Sequence, residues 1–148
     1  KRPLCSPATA DIPLWVAEMA GGKTATPSGN VLRDKVVTLA EGMGLEVKRE
    51  VTVGRRIWGA RRRIDVVVTQ PQSRITLGIE CKYQKDRGTT DEKIPATILD
   101  ISAWPIPGLV VFEGEGISEN IRSYLYSTGK AVEFEDLEGW MRLFFRLP

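Results

Sequence analysis

The apolar positions of this chain follow two periods. In residues 31–43, Leu32, Val36, Leu39 and Met43 recur at steps of three and four, which lays one apolar stripe along a helix. Asn30 stands where a cap belongs, and Gly44 where the helix must stop. From Leu45 the period drops to two: "LEVKREVTV" alternates apolar and polar residues, the pattern of a half-buried strand over 45–53. "GRRIWGARR", with Gly54 and Gly59, predicts a hairpin or long turn. "RIDVVVTQ" (63–70) and "ITLGIECKYQ" (75–84) read as two further strands joined by a turn at 71–73.

The polar stretch "KDRGTTDEK" reads as a loop. A helix is expected to start near Pro95, because proline suits a first helical position and the residue before it avoids the helical region. Ile94, Ile98 and Ile101 form its apolar face, and it ends before Trp104. "GLVVFEG" (108–114) is apolar on both alternations, as in a sheet covered on both faces. Ser118 caps a helix running to Tyr126, Gly129 ends it, "KAVEFE" is a last strand and "DLEGWMRLFFRL" a last helix. An antiparallel meander followed by crossover units predicts an α/β fold, a mixed central sheet flanked by helices. Residues 1–29, with Pro3, Pro7, Pro13 and Pro27, are expected as a flexible or loosely packed leader, and residues 30–148 as the domain. The chain opens on Lys1 and not Met, as a fragment or trimmed chain would.

Composition narrows the chemistry. At 148 residues, with 42% hydrophobic and 27% charged, the chain can build one domain around one core. No apolar run is long enough to span a bilayer, no signal peptide opens the chain, and Cys5 and Cys81 form neither a disulfide framework nor a zinc pattern. No membrane partner and an intracellular, reducing location are therefore expected. Histidine is absent, which excludes Ser-His-Asp and Cys-His catalysis and histidine-liganded metals. Hydrolytic chemistry would rest on carboxylates, lysine and an oxygen-liganded metal. The net charge of +2 hides an asymmetry: residues 48–63 carry Lys48, Arg49, Arg55, Arg56, Arg61, Arg62 and Arg63 against Glu50 alone. Such a stretch suits a polyanion, DNA above all, although arginines on a solvated hairpin would look the same. Trp58, inside it, either stacks on bases or packs on the domain or a partner, and the packing reading is slightly preferred.

One strand combines these hints. Alternation sends Ile75, Leu77, Ile79, Cys81 and Tyr83 to one face, and Glu80, Lys82 and Gln84 to the other, about 6.6 Å apart along the strand. The short turn at 71–73 pairs this strand antiparallel with that of Asp65, which then lies within about two residues of the position opposite Glu80. Taken alone, Glu-x-Lys is commonly a wet strand face with cross-strand ion pairs. With Asp65, Glu80 and the Cys81 carbonyl it is also a hard oxygen site of the kind Mg²⁺ prefers, with Lys82 placed to orient water or offset charge on a phosphate.

"RRIDVVV" and "GIECKYQ", with Asp65 and Glu80 fifteen residues apart, resemble the PD-(D/E)xK nuclease superfamily, as does the element order around them. The resemblance covers residues 30–113 or so and implies a restriction-endonuclease-like core (α-β-β-β-α-β) and a Mg²⁺-dependent DNA endonuclease, Mn²⁺ substituting. It implies Asp65 and Glu80 as metal ligands and Lys82 as the catalytic lysine, with Gln84 where several families place a glutamine. Ile64 replaces the name-giving proline. Many members add an acid from the first helix; Asp34 is the better candidate here and Glu41 the weaker, an exposed helix charge being the plain alternative. "GTTDEKIP" resembles a stretch that follows the catalytic strand in some restriction-type members, so Lys93 either grips a phosphate at a helix N-terminus or belongs to a capping sequence with Thr89 and Glu92. The basic residues Arg55, Arg56, Arg61, Arg62 and Arg63 would contact DNA, and Gln84 would help to position its backbone. A catalytically silent binding module with the same fold is the alternative function. A homodimer is compatible with cutting two strands; Trp140, Leu143, Phe144 and Phe145 would close the core or supply that interface, with the core preferred.

Overall fold

The computed structural model describes residues 29–86 and 90–148, with the side chains of Ile57 and of residues 90–92 left aside. The expected leader thus lies outside the described residues. Helix α1 (Gly29–Gly42) is followed by β1 (Glu46–Arg55), a 3-10 turn (Ile57–Gly59), β2 (Arg61–Thr69) and β3 (Thr76–Tyr83). Then come α2 (Thr90–Ser102), β4 (Gly108–Glu113), α3 (Glu119–Thr128), β5 (Ala131–Glu133), a 3-10 turn (Phe134–Asp136) and α4 (Leu137–Phe144). The strands form one sheet in chain order, β1-β2-β3-β4-β5. The β1–β2 and β2–β3 pairs are antiparallel, and the β3–β4 and β4–β5 pairs parallel. This is the mixed, helix-flanked sheet that the periodicities predict.

Each face of the sheet buries its own core. On one side α1 and α4 cover Val66, Val68, Leu77, Ile79 and Cys81 with Leu32, Val36, Met141 and Phe145. On the other, α2 and α3 cover Ile64, Val110 and Phe112 with Ile94, Ile98, Ile101 and Leu125. Each such aliphatic side chain, fully buried, contributes about 1.5–3 kcal/mol. Among the described residues no helix is long and apolar enough to cross a membrane.

Some local expectations are corrected. Asn30 lies inside α1 and not at its cap; its side-chain oxygen accepts a hydrogen bond from Arg33. Helix α2 starts at Thr90 and carries Pro95 within it, so Lys93 is an exposed residue of the helix body. The proline removes one backbone hydrogen bond, and burial of Ile94, Ile98 and Ile101 against the sheet offsets that loss. Thr89 lies outside the described residues. Ser118 caps α3 as expected, its hydroxyl accepting from the Ile121 N–H, and Gly129 ends it at φ 65°. Of the terminal aromatics, Phe145 is fully buried and stacked Trp140 and Phe144 are half-buried against the core, whereas Leu143 is exposed.

Two glycines hold the end of β3 against the segment after β4. Gly114 and Gly116 run so close to the Gln84–Asp86 backbone that the Gly116 N–H donates to the Gln84 carbonyl at 2.9 Å. A Cβ on Gly114, whose φ is 119°, would lie 2.0 Å from that carbonyl oxygen. Gly114→Ala is therefore expected to lower stability in urea unfolding by about 3 kcal/mol. Gly139→Ala, in open space on α4, should instead raise it by about 0.5–1 kcal/mol.

Candidate metal and nuclease site

The site forms where β2 leaves β3. The two strands pair from Thr69↔Thr76 to Val66↔Ile79. One step further in that register Asp65 faces Glu80, as the turn length implies. The alternating ladder, anchored by Gln70 N–H donating to Ile75, would next join the Cys81 N–H to Ile64. That N–H instead donates to the Asp65 carboxylate, at 2.9 Å. The β1–β2 pairing also skips this level: Arg49 pairs with Val66 and Val51 with Ile64, with Glu50 between them at φ 51°. The alternation of faces breaks here. Val66 and Val68 point to the α1 side, but Ile64 packs on the α2 side. The far half of the β1–β2 hairpin thus parts from β3 as an arm and reaches α2, next to Glu80 on the strand it leaves.

The row inferred on β3 is present. Gly78 has no side chain because Trp104 occupies its place, 2.8 Å from where a Cβ would sit. Glu80, Lys82 and Gln84 continue on that face, while Cys81 points into the opposite core and is buried. Burial pushes the Cys81 thiol up, so it is unreactive. Its carbonyl points to the same strand edge as its N–H, toward Asp65. Lys82 Nζ lies 3.4 Å from Glu80 Oε1, and the two side chains are 29% and 12% exposed. The second Glu80 oxygen is buried and has no hydrogen-bond partner among the described residues, and the same holds for Gln84 Oε1. The Gln84 amide nitrogen donates to the Asp86 carbonyl. The free group of Gln84 is therefore an acceptor, which complements water or a cation better than a phosphate oxygen. Burial, then the nearby Asp65 charge, pushes the Glu80 carboxyl up to about 7.

The other expected residues divide. Asp34 is exposed on α1 and pairs with Arg49 at 2.5 Å. Among the described residues no group of three acidic or cysteine side chains converges as a metal cluster. The oxygen set near β3 is therefore two carboxylates and the main chain. Arg56 and Arg62 both bind Asp100 of α2, at 3.0 Å each, and Trp104 Nε1 donates to the same carboxylate. These two arginines fasten the arm to the helix. Arg55 donates to the Gly59 carbonyl at 2.8 Å, while the side chains of Arg61 and Arg63 make no hydrogen bond or ion pair among the described residues. Trp58 is 94% exposed, so of the expected packing on the domain or on a partner, the packing on the domain does not occur. The indole sits on a tip residue with positive φ, which turns it away from both cores.

Two residues escaped the sequence reading. Asp100 carries no motif that would single it out, and its arginine partners lie 38 and 44 residues away. Arg33, on α1, donates to Glu50 at 2.8 Å and lies near the Asp65 charge. Glu50, the lone acid of the basic stretch, was the available signal. The residues present fit a hard divalent cation: an orphaned, buried Glu80 oxygen stands beside a second carboxylate and a main-chain carbonyl, all oxygen donors.

A family model described as a PD-(D/E)XK nuclease superfamily domain matches residues 24–138. No curated protein sequence matches the chain. Among solved structures, a protein of unknown function, AF1548, is similar at a TM-score of 0.50 and 22% identity, over 72% of this chain and 59% of that one. Protein VC1899 from Vibrio cholerae has a TM-score of 0.48 and 15% identity, over 80% of this chain and 33% of that one. The chain thus spans less than two thirds of both.

The Glu80 carboxyl ties stability to pH. Held at about 7 in the fold against 4.5 ordinarily, it binds more protons folded than unfolded between those values. Its contribution to stability falls as pH rises through that window, by about 3 kcal/mol in all. In EDTA, Glu80→Gln should match the parent near pH 4.5 and be more stable at pH 8, measured by urea unfolding; equal pH slopes would contradict the assignment.

Proposed function

Because the chain belongs to the PD-(D/E)XK nuclease superfamily, we propose that it is a Mg²⁺-dependent DNA endonuclease that hydrolyses phosphodiester bonds at Asp65, Glu80 and Lys82. One observation carries the reading: the buried Glu80 carboxylate keeps an oxygen without a partner among the described residues, where β2 parts from β3 beside Asp65. Asp65, Glu80 and the Cys81 carbonyl would hold the cation. When bound, the cation supplies Lewis acidity toward water and the phosphate. Lys82 Nζ, already beside Glu80, orients the attacking water and offsets charge gathering on the phosphate. Gln84 Oε1 accepts from that water. Asp65 is held by the Cys81 N–H, so its position is set before substrate arrives.

The arm supplies the DNA contact. Arg55, Arg61 and Arg63 keep their charge for phosphates, while Arg56 and Arg62 hold the arm on α2. Lys93, exposed on α2, adds a further phosphate contact. Asp34 stays with Arg49 outside the ligand set. A homodimer would present two such sites to the two strands.

Plasmid and linear DNA incubated with Mg²⁺ or Mn²⁺ should be cut by the parent. Glu80→Ala, Asp65→Asn and Lys82→Ala should each lose about 10²-fold or more in rate. Cutting by Glu80→Ala at the parent rate would disprove the site, and a parent that binds DNA without cutting it would favour a silent module.

The arm should also show itself in salt dependence. Arg61→Ala and Arg63→Ala should each flatten the slope of log affinity against log salt by about one. Binding titrations from low to moderate salt check this; an unaltered slope in both would remove the arm from the DNA interface.

A further inference from the structure

The nuclease reading leaves Trp58 unused. It is 94% exposed, and its φ of 65° and ψ of 15° lie in the left-handed region that a bulky residue seldom occupies. The tip that carries it is nonetheless well held. Arg56 N–H donates to the Ala60 carbonyl at 2.7 Å, Gly59 N–H to the Arg56 carbonyl at 3.1 Å, and the Arg55 guanidinium to the Gly59 carbonyl at 2.8 Å. Below the tip, Asp100 grips Arg56 and Arg62. The indole therefore projects from a braced arm at a fixed place relative to α2. Trp104, which donates to the same Asp100 carboxylate, packs against Gly78 on the β3 face that carries Glu80, so the arm is fastened on the site's side of the sheet.

A ligand for this tip must be planar and apolar where it meets the indole, and anionic where it meets Arg55, Arg61 and Arg63. A nucleobase on its own phosphate backbone has both properties. A second copy of the chain would bring like charges together. A base can stack on the indole only when it is out of the helical stack.

We propose that Trp58 is a base-stacking residue and that the preferred substrate is DNA with an unpaired or splayed base near the cut. This rests on the nuclease reading and adds the class of DNA to it. Substrate discrimination then comes from the arm, not from Asp65, Glu80 and Lys82.

The test compares a fully paired duplex with the same duplex carrying a splayed end. Affinity is read by fluorescence anisotropy in EDTA, and cleavage separately in Mg²⁺. The parent should prefer the splayed DNA. Trp58→Ala should cut that preference by about tenfold or more, and Trp58→Phe should keep most of it. No preference in the parent, an undiminished preference in Trp58→Ala, or a Trp58→Ala defect confined to self-association in sedimentation would overturn the proposal. Glu80-dependent cutting without Trp58-dependent preference would sink the stacking role alone. Preference without cutting would sink the nuclease reading alone, and no DNA binding at all would sink both.

Discussion

The hydrogen bond from the Cys81 N–H to the Asp65 carboxylate is the contact on which the rest turns. A regular ladder would have given that N–H to the main chain of β2 and kept the strands zipped. By taking it onto a side chain, the fold ends the β2–β3 pairing at Val66↔Ile79 without leaving a buried donor unpaired. Asp65 is fixed in the same stroke. The far half of the hairpin is released from the sheet and turns toward α2.

The opening has an electrostatic cost that nothing among the described residues fully meets. Glu80 is buried beside Asp65, and Lys82 answers only one of its oxygens. Two carboxylates at this distance from water repel one another, and the result is a carboxyl that holds its proton to about 7. A cation at this place would remove the repulsion and supply the missing partner. The structure thus stores at β3 the instability that a metal-binding role would use. On the arm the opposite arrangement holds. Arg56 and Arg62 share the single counter-charge of Asp100, and that pairing fastens the hairpin to α2.

The sheet and its flanking helices could be read from spacing because each rests on local periodicity. Leu32 and Val36 at helical steps, the Val-rich run after Asp65, and the doubly apolar "GLVVF" all lie where their patterns put them. The nearness of Asp65 to Glu80 was legible too, since a short turn leaves few registers. Contacts between distant residues were not legible. Nothing near Asp100 announces two arginines from another element, and nothing near Arg33 announces Glu50. Pro95 misled because a local rule predicts a helix start, whereas tertiary burial of Ile94 and Ile98 carries the helix through it. Trp58 misled for a related reason. A large indole normally finds a core, and only the left-handed backbone at the tip shows that this one does not.

The central proposal is that the oxygens of Asp65 and Glu80 hold one divalent cation where β2 parts from β3. A crystal of the protein soaked in Mn²⁺ and measured at the manganese edge tests it directly. The account predicts one anomalous peak within coordination distance of both carboxylates and of the Cys81 carbonyl. An anomalous peak elsewhere in the domain, or none at saturating Mn²⁺ with Glu80 Oε2 still unpartnered, would contradict it.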